Sequence, residues 1–117
     1  MRTIKFRYWN TTTNQMVNNP QMPHKEDWTI EQLFEERGWV WQQFTGLLDK
    51  NGKEIYEGDI VKDEIRRWEV CWEQARGQFM RKALKAKVPL SERQIKMYKV
   101  KVIGNVYESP ELLKDTK

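Results

Sequence analysis

The chain has little of what metal centres, disulfides and membrane anchors need. It contains one cysteine, Cys71, and one histidine, His24, among 117 residues. An intrachain disulfide is therefore excluded, and so is a zinc site built from several cysteines or paired histidines. The sequence has no apolar run of about 18 residues, which a membrane-spanning helix requires, and no apolar segment typical of a signal peptide. We therefore expect a reduced, cytoplasmic setting, with no metal, no cofactor and no membrane partner.

Large aromatic side chains are abundant for so polar a chain. Hydrophobic residues make up 38% and charged residues 32%, yet there are six tryptophans. Disordered chains are poor in aromatic residues, so this composition indicates an ordered domain. A length of 117 residues suits one hydrophobic core, and no linker or repeat divides the sequence. We therefore treat residues 1–117 as a single domain.

Alternation of apolar and polar residues predicts several strands. The clearest segments are residues 3–9, residues 67–73 and residues 98–107, in which every second side chain faces the same way. Gly104 interrupts the last segment, which predicts a bulge or a close backbone contact. We expect residues 98–107 to form the longest strand.

Short helices are predicted where a capping residue precedes a suitable first turn. Thr29 and Gly38 are expected to bound one of them. Ser91 is predicted to cap a single helical turn, and Ser109 is followed by Pro110, which suits the first position of a helix.

Two turns lie unusually close together in the middle of the chain. Residues 49–52 (Asp-Lys-Asn-Gly) and residues 57–59 (Glu-Gly-Asp) are typical turn sequences, because glycine and asparagine accept positive φ angles at low cost. Only a very short strand over residues 53–56 fits between them. The fold class predicted is therefore mainly β, a small barrel-like or strongly bent antiparallel sheet with one or two short helices.

Four tryptophans lie in predicted strands, and we expect them to build the core. Six such rings exceed the needs of one small core, and tryptophan is enriched at protein interfaces. Some of the four are therefore expected to mediate self-association into a homo-oligomer. The residues concerned are Trp39, Trp41, Trp68 and Trp72.

Positive charge is concentrated in the C-terminal half of the chain. Residues 61–117 carry 14 basic and 8 acidic side chains, a net charge of +6. Such an imbalance favours an anionic partner such as nucleic acid, although a solvated surface explains it equally well. The candidate nucleic-acid-binding residues are Arg81, Lys82, Lys85, Lys87, Lys99 and Lys101.

Residues able to catalyse a reaction are few. Cys71 would need His24 beside it to act as a nucleophile, and it lies in a strand pattern that favours a structural thiol. Glu57 and Asp59 flank Gly58, where carboxylates commonly bond to their own turn. The glycines are scattered and form no phosphate-binding loop. We expect neither an enzyme nor a small-molecule substrate.

Three blocks of the sequence resemble the YopX family of phage and prophage proteins. They are residues 4–9 (IKFRYW), residues 43–61 (QFTGLLDKNGKEIYEGDIV) and residues 102–113 (VIGNVYESPELL). The departures are mild: Tyr8 stands where alanine is frequent and Leu48 where lysine is common. Residues 62–98 carry no family signature, so the basic patch belongs to this chain alone.

This resemblance implies a mainly β fold with a barrel-like core, a phage or prophage origin and assembly into oligomers. It brings no established activity and no catalytic residues. The sequence thus favours a non-enzymatic binding or assembly module that forms homo-oligomers in the bacterial cytoplasm. The alternative is a nucleic-acid-binding accessory protein that uses the basic stretch 81–101.

Overall fold

The protein is mainly β, as predicted. A computed structural model describes residues 5–18, 39–83 and 86–114, and strands account for 55% of them. His24, Lys85 and the helix expected between Thr29 and Gly38 lie outside these ranges.

The first sheet contains four antiparallel strands in the order β2-β1-β3-β4. Its centre is the pairing of β1 with β3, where Tyr8 lies opposite Trp41. The strands are β1 (Phe6–Asn10), β2 (Gln15–Asn18), β3 (Trp39–Leu48) and β4 (Glu54–Tyr56).

The second sheet contains five strands in the order β8-β7-β6-β5-β9, with antiparallel pairing throughout. Two short helices, α1 (Glu92–Tyr98) and α2 (Glu111–Lys114), flank β9 in the chain. The strands are β5 (Asp59–Lys62), β6 (Arg67–Glu73), β7 (Gln78–Ala83), β8 (Ala86–Pro89) and β9 (Lys101–Asn105).

The chain passes from the first sheet to the second through the turn at Glu57 and Gly58. The Glu57 N–H donates to the Gln43 carbonyl of the first sheet at 2.9 Å, and the Gly58 N–H donates to the Val70 carbonyl of the second at 2.7 Å. The Gly58 carbonyl in turn accepts the N–H of Val106 at 2.9 Å. The predicted sharp bend is therefore confirmed, and it joins two sheets, a strongly curled half-barrel sheet and a second antiparallel sheet.

The long strand expected over residues 98–107 is shorter than predicted. Ser91 caps a seven-residue helix rather than a single turn, and this helix includes Tyr98. Lys99 then adopts a left-handed conformation with φ of 55° and donates its N–H to the Ile95 carbonyl. Because this cap reverses the chain direction, β9 begins only at Lys101.

The irregularity predicted at Gly104 is confirmed. The register of β9 on β5 shifts between the pair formed by Ile60 with Gly104 and the pair formed by Val61 with Val102. A Cβ at Gly104 would lie 2.7 Å from Cδ1 of Leu112. The glycine therefore allows α2 to pack closely on the bulge.

The hydrophobic core lies between the second sheet, β4 and α1. Of the tryptophans expected to fill it, Trp68 is buried, but Trp72 is 40% exposed, so that part of the prediction was wrong. Trp72 lies near the end of β6, beyond the core, and its ring packs edge-on against Phe79. Trp41 is half-buried. The buried cluster consists of Ile55, Val61, Trp68, Val70, Leu90, Ile95 and Val100.

Two glycines with the same backbone conformation provide a test of the crossover. Gly58 and Gly52 have φ angles of +84° and +82°, but a Cβ at Gly58 would overlap the amide of Gln42, whereas a Cβ at Gly52 meets nothing within 4 Å. We expect Gly52→Ala to lose about 1–2 kcal/mol from left-handed strain alone. Gly58→Ala should lose a further ~1–3 kcal/mol from overpacking.

The free energy of unfolding in urea measures both losses. Equal losses in the two variants would contradict the close packing of Gln42 on Gly58.

Candidate functional site

A buried ion pair links the first strand to the crossover. The Arg7 guanidinium is paired with Asp59 Oδ1, and its Nε donates to Gln42 Oε1 at 2.8 Å. The amide of Asn105 donates to the same Gln42 oxygen at 3.1 Å. The second oxygen of Asp59 accepts the backbone N–H of Tyr56 at 2.8 Å. Asp59 is therefore held as a structural carboxylate.

Glu57 and Asp59 do not converge on a common point, although one glycine separates them. Glu57 Oε1 accepts the backbone N–H of Gln43 at 2.9 Å, and burial raises the pKa of this carboxyl above its usual value, partly offset by that hydrogen bond. Among the described residues, no group of three or more histidine, cysteine, aspartate or glutamate side chains is placed to hold a metal ion. Asp59 therefore bonds to its own turn, as predicted, through the N–H of Tyr56, whereas Glu57 bonds to β3.

A cleft of about 300 Å³ lies where the two sheets meet. Trp41 contributes from β3 of the first sheet and Trp72 from β6 of the second, while Tyr107 follows β9. Glu57 and Glu69 also line it. We call this site the inter-sheet cleft.

The aromatic side chains of the inter-sheet cleft are held by neighbouring rings. Tyr107 stacks on the buried Trp9, with ring centroids 6.1 Å apart and an interplanar angle of 22°. Trp41 contacts Tyr8 at 5.2 Å between centroids, and the Trp72 centroid lies 4.9 Å from that of Phe79. These contacts fix the cleft walls before any ligand arrives.

The negative charges of Glu57 and Glu69 both act on the Tyr107 hydroxyl. Burial raises the pKa of the Tyr107 hydroxyl, and the negative charges of Glu69 and Glu57 raise it further. Lys82 lies opposite Glu69 in the pairing of β6 with β7, but no lysine or arginine is among the residues lining the cleft. The cleft is therefore an acidic, aromatic site.

Cys71 lies in the wall of the inter-sheet cleft and is half-buried. Burial raises the pKa of its thiol, while the charges of Lys82 and Lys87 act in the opposite direction. A thiol with a raised pKa is a poor nucleophile at neutral pH. This setting is that of a thiol protected from ionisation.

Arg81 must be removed from the predicted nucleic-acid-binding set. It is 4% exposed, because β7 turns this side chain inward, where its guanidinium lies 5.1 Å from the Trp68 ring and 5.4 Å from the Tyr98 ring. A buried guanidinium of this kind is not available to a phosphate.

The remaining lysines of that set occupy both edges of the second sheet. Lys82 and Lys87 are exposed and lie opposite one another on β7 and β8, and Lys87 forms an ion pair with Glu73. Lys99 follows α1, and Lys101 begins β9 at the other edge.

The four tryptophans considered for self-association also separate in the structure. Trp41 and Trp72 meet at the inter-sheet cleft, whereas Trp68 is committed to the core. The side chain of Trp39 is outside the described part of the molecule. Glu69 and Tyr107 were not predicted as site residues, because only the arrangement of the two sheets places them beside Trp41 and Trp72.

The fold and the cleft together define a two-sheet, mainly antiparallel β domain whose conspicuous surface feature is an aromatic cleft. The sequence model of the YopX family, described as "YopX protein", matches residues 5–114. The chain therefore belongs to the YopX family, which confirms the resemblance drawn from its three sequence blocks.

A solved structure with the same architecture is the crystal structure of protein EF1440 from Enterococcus faecalis. It is 27% identical in sequence to this chain, with a TM-score of 0.69, and the match covers 97% of this chain and 99% of the other. A search among curated proteins found no match. In the described residues, no helix is both long and apolar enough to cross a membrane.

Removing the charge of Asp59 tests whether the buried pair is structural. Asp59→Asn leaves Arg7 buried without its counter-charge, so we expect a loss of about 3–5 kcal/mol. The matched control is Glu92→Gln, which removes a carboxylate paired with Lys96 on the exposed face of α1 and should cost well under ~1 kcal/mol. Urea denaturation gives both values, and similar losses would contradict the structural role of Asp59.

The raised pKa of Cys71 predicts slow alkylation. Because Cys71 is the only cysteine in the chain, iodoacetamide reports on it alone. The pH at which the alkylation rate is half its maximum should be higher in the folded protein than in the urea-unfolded chain. The reason is that the reactive thiolate forms only at a higher pH in the folded protein. A midpoint at the same or a lower pH would show that the thiol is not shielded.

Proposed function

We propose that this chain is a non-enzymatic binding module that assembles into homo-oligomers through the inter-sheet cleft, in the cytoplasm of a bacterial host. The observation that carries the proposal is the exposure of two large rings at one site. Trp72 and Tyr107 are each 40% exposed, and both line the cleft. Tryptophan and tyrosine are the residues on which binding energy at protein interfaces is most often concentrated.

The side chains that could react already have structural partners or a raised pKa, which supports a binding role over a catalytic one. Asp59 neutralises Arg7, Glu57 accepts a backbone hydrogen bond, and Cys71 has a raised pKa. A nucleophilic cysteine needs the opposite, namely a lowered pKa.

Charge complementarity supports a second copy of this chain as the partner. The cleft presents the carboxylates of Glu57 and Glu69, while residues 61–117 carry a net charge of +6. Each copy therefore offers both an acidic, aromatic cleft and exposed lysines, such as Lys82 and Lys87, that such a cleft attracts. The proposed contact joins the two.

Truncation of Trp72 tests the self-association. We expect wild-type protein to sediment as an oligomer at micromolar concentration and Trp72→Ala to raise the dissociation constant at least tenfold, because loss of an aromatic anchor costs about 2 kcal/mol or more. The control is Ile65→Ala, since Ile65 is 76% exposed but lies in the loop at the opposite end of β6. A monomeric wild type, or equal effects of the two variants, would contradict the proposal.

A nucleic-acid-binding accessory protein is the second candidate. It is supported by Lys82 and Lys87, which are exposed and adjacent across β7 and β8. This candidate predicts a mobility shift of DNA or RNA that weakens steeply as salt rises, and its loss in the double variant Lys82→Glu and Lys87→Glu. Absence of a shift at low salt would eliminate it.

A further inference from the structure

We propose that the inter-sheet cleft holds a cationic side chain, a lysine ammonium or an arginine guanidinium, donated by the partner protein. This inference deepens the proposed function and rests on the cleft being the binding surface. It assigns the chemistry of the group that enters the cleft.

The lining of the cleft has the two components that recognise an organic cation. Trp41, Trp72 and Tyr107 supply aromatic rings, whose faces attract a cation. Glu57 and Glu69 supply negative charge to the same cavity. A neutral apolar ligand would leave these two carboxylates without a counter-charge in a partly desolvated site.

The size of the cleft suits one side chain. Its volume is about 300 Å³, at the lower end of the range for small-molecule sites. The rings are already positioned by their contacts with Trp9, Tyr8 and Phe79, so little ordering is needed on binding.

A buried amide supports the cleft wall. Gln42 is 2% exposed, and its Oε1 accepts hydrogen bonds from Arg7 and Asn105. That oxygen fixes the orientation of the amide, so Nε2 lies on the other side, against Gly58, which is also a wall of the cleft. Within the described residues Nε2 has no hydrogen-bond partner.

Nε2 has almost no accessible surface and lies against Gly58, so it meets a ligand acceptor only if this part of the wall moves. The aromatic rings and the two glutamates, which already line the cleft, therefore carry the assignment of a lysine or arginine side chain.

Binding of blocked amino acids tests this assignment directly. The probes are N-acetyl-arginine amide and N-acetyl-lysine amide, with N-acetyl-glutamine amide as the uncharged control. Binding is followed through the indole N–H signal of Trp72, assigned with Trp72→Phe, and through protection of Cys71 from iodoacetamide. We expect saturable binding of at least one cationic probe in the millimolar range, which corresponds to about 4 kcal/mol, and at least tenfold weaker binding of the control.

Neutralising one cleft carboxylate should weaken the cationic probes specifically. Glu69→Gln is expected to reduce their affinity about five- to tenfold, whereas Glu64→Gln, an equal charge change in the exposed loop before β6, should leave it unchanged. Both variants should keep the wild-type unfolding midpoint. Equal binding of charged and neutral probes, no binding of any probe, or equal effects of the two variants would overturn the assignment.

The probe-binding experiment and the self-association experiment can fail independently. A monomeric wild type that binds the cationic probes would reject the homo-oligomer and retain the cation site. An oligomer that depends on Trp72 but is indifferent to the probes and to Glu69→Gln would reject the cation site and retain the oligomer.

Discussion

The ion pair between Arg7 and Asp59 is the interaction on which the arrangement of the two sheets depends. Arg7 lies in the first sheet, and Asp59 is the first residue of the second. Both are buried, so each charge is costly unless the other is present. Gln42 and Asn105 complete the pairing from β3 and β9. Four separate strands are therefore joined at one polar centre, beside a crossover of only two residues.

The Glu-Gly-Asp sequence, part of the middle family block, is explained by this centre. Glu57 accepts a backbone N–H of β3, Gly58 makes room for the Gln42 amide, and Asp59 neutralises Arg7. Each residue of the Glu-Gly-Asp sequence thus has a separate structural task. A motif of this kind identifies a fold, although Glu57 and Gly58 also line the inter-sheet cleft.

Local sequence patterns predicted the positions of several strands well, but they did not predict which side chains of a strand face the interior. The bounds of β6 were correct, because alternation over residues 67–73 is a purely local property. Alternation also separated Arg7 and Trp9 from Phe6 and Tyr8 in β1, but it gave no sign that the arginine faces inward. The reason is that its partner, Asp59, is 52 residues away in the sequence. The error at Tyr98 is local in origin, since Lys99 takes a left-handed cap position usually filled by glycine.

The inter-sheet cleft was beyond sequence reasoning for the same physical reason. Trp41 and Trp72 were singled out separately, but they belong to different sheets, and only the crossover brings them together. Gln42 connects the buried polar centre to the inter-sheet cleft. Its Oε1 joins the polar centre, and its Nε2 lies against Gly58. The width of the cleft consequently depends on how closely the Gln42 amide packs on Gly58, as well as on the aromatic and acidic residues of the cleft. A residue larger than glycine at position 58 would therefore displace the Gln42 amide and reshape the cleft, while every aromatic and acidic residue of the cleft stays the same.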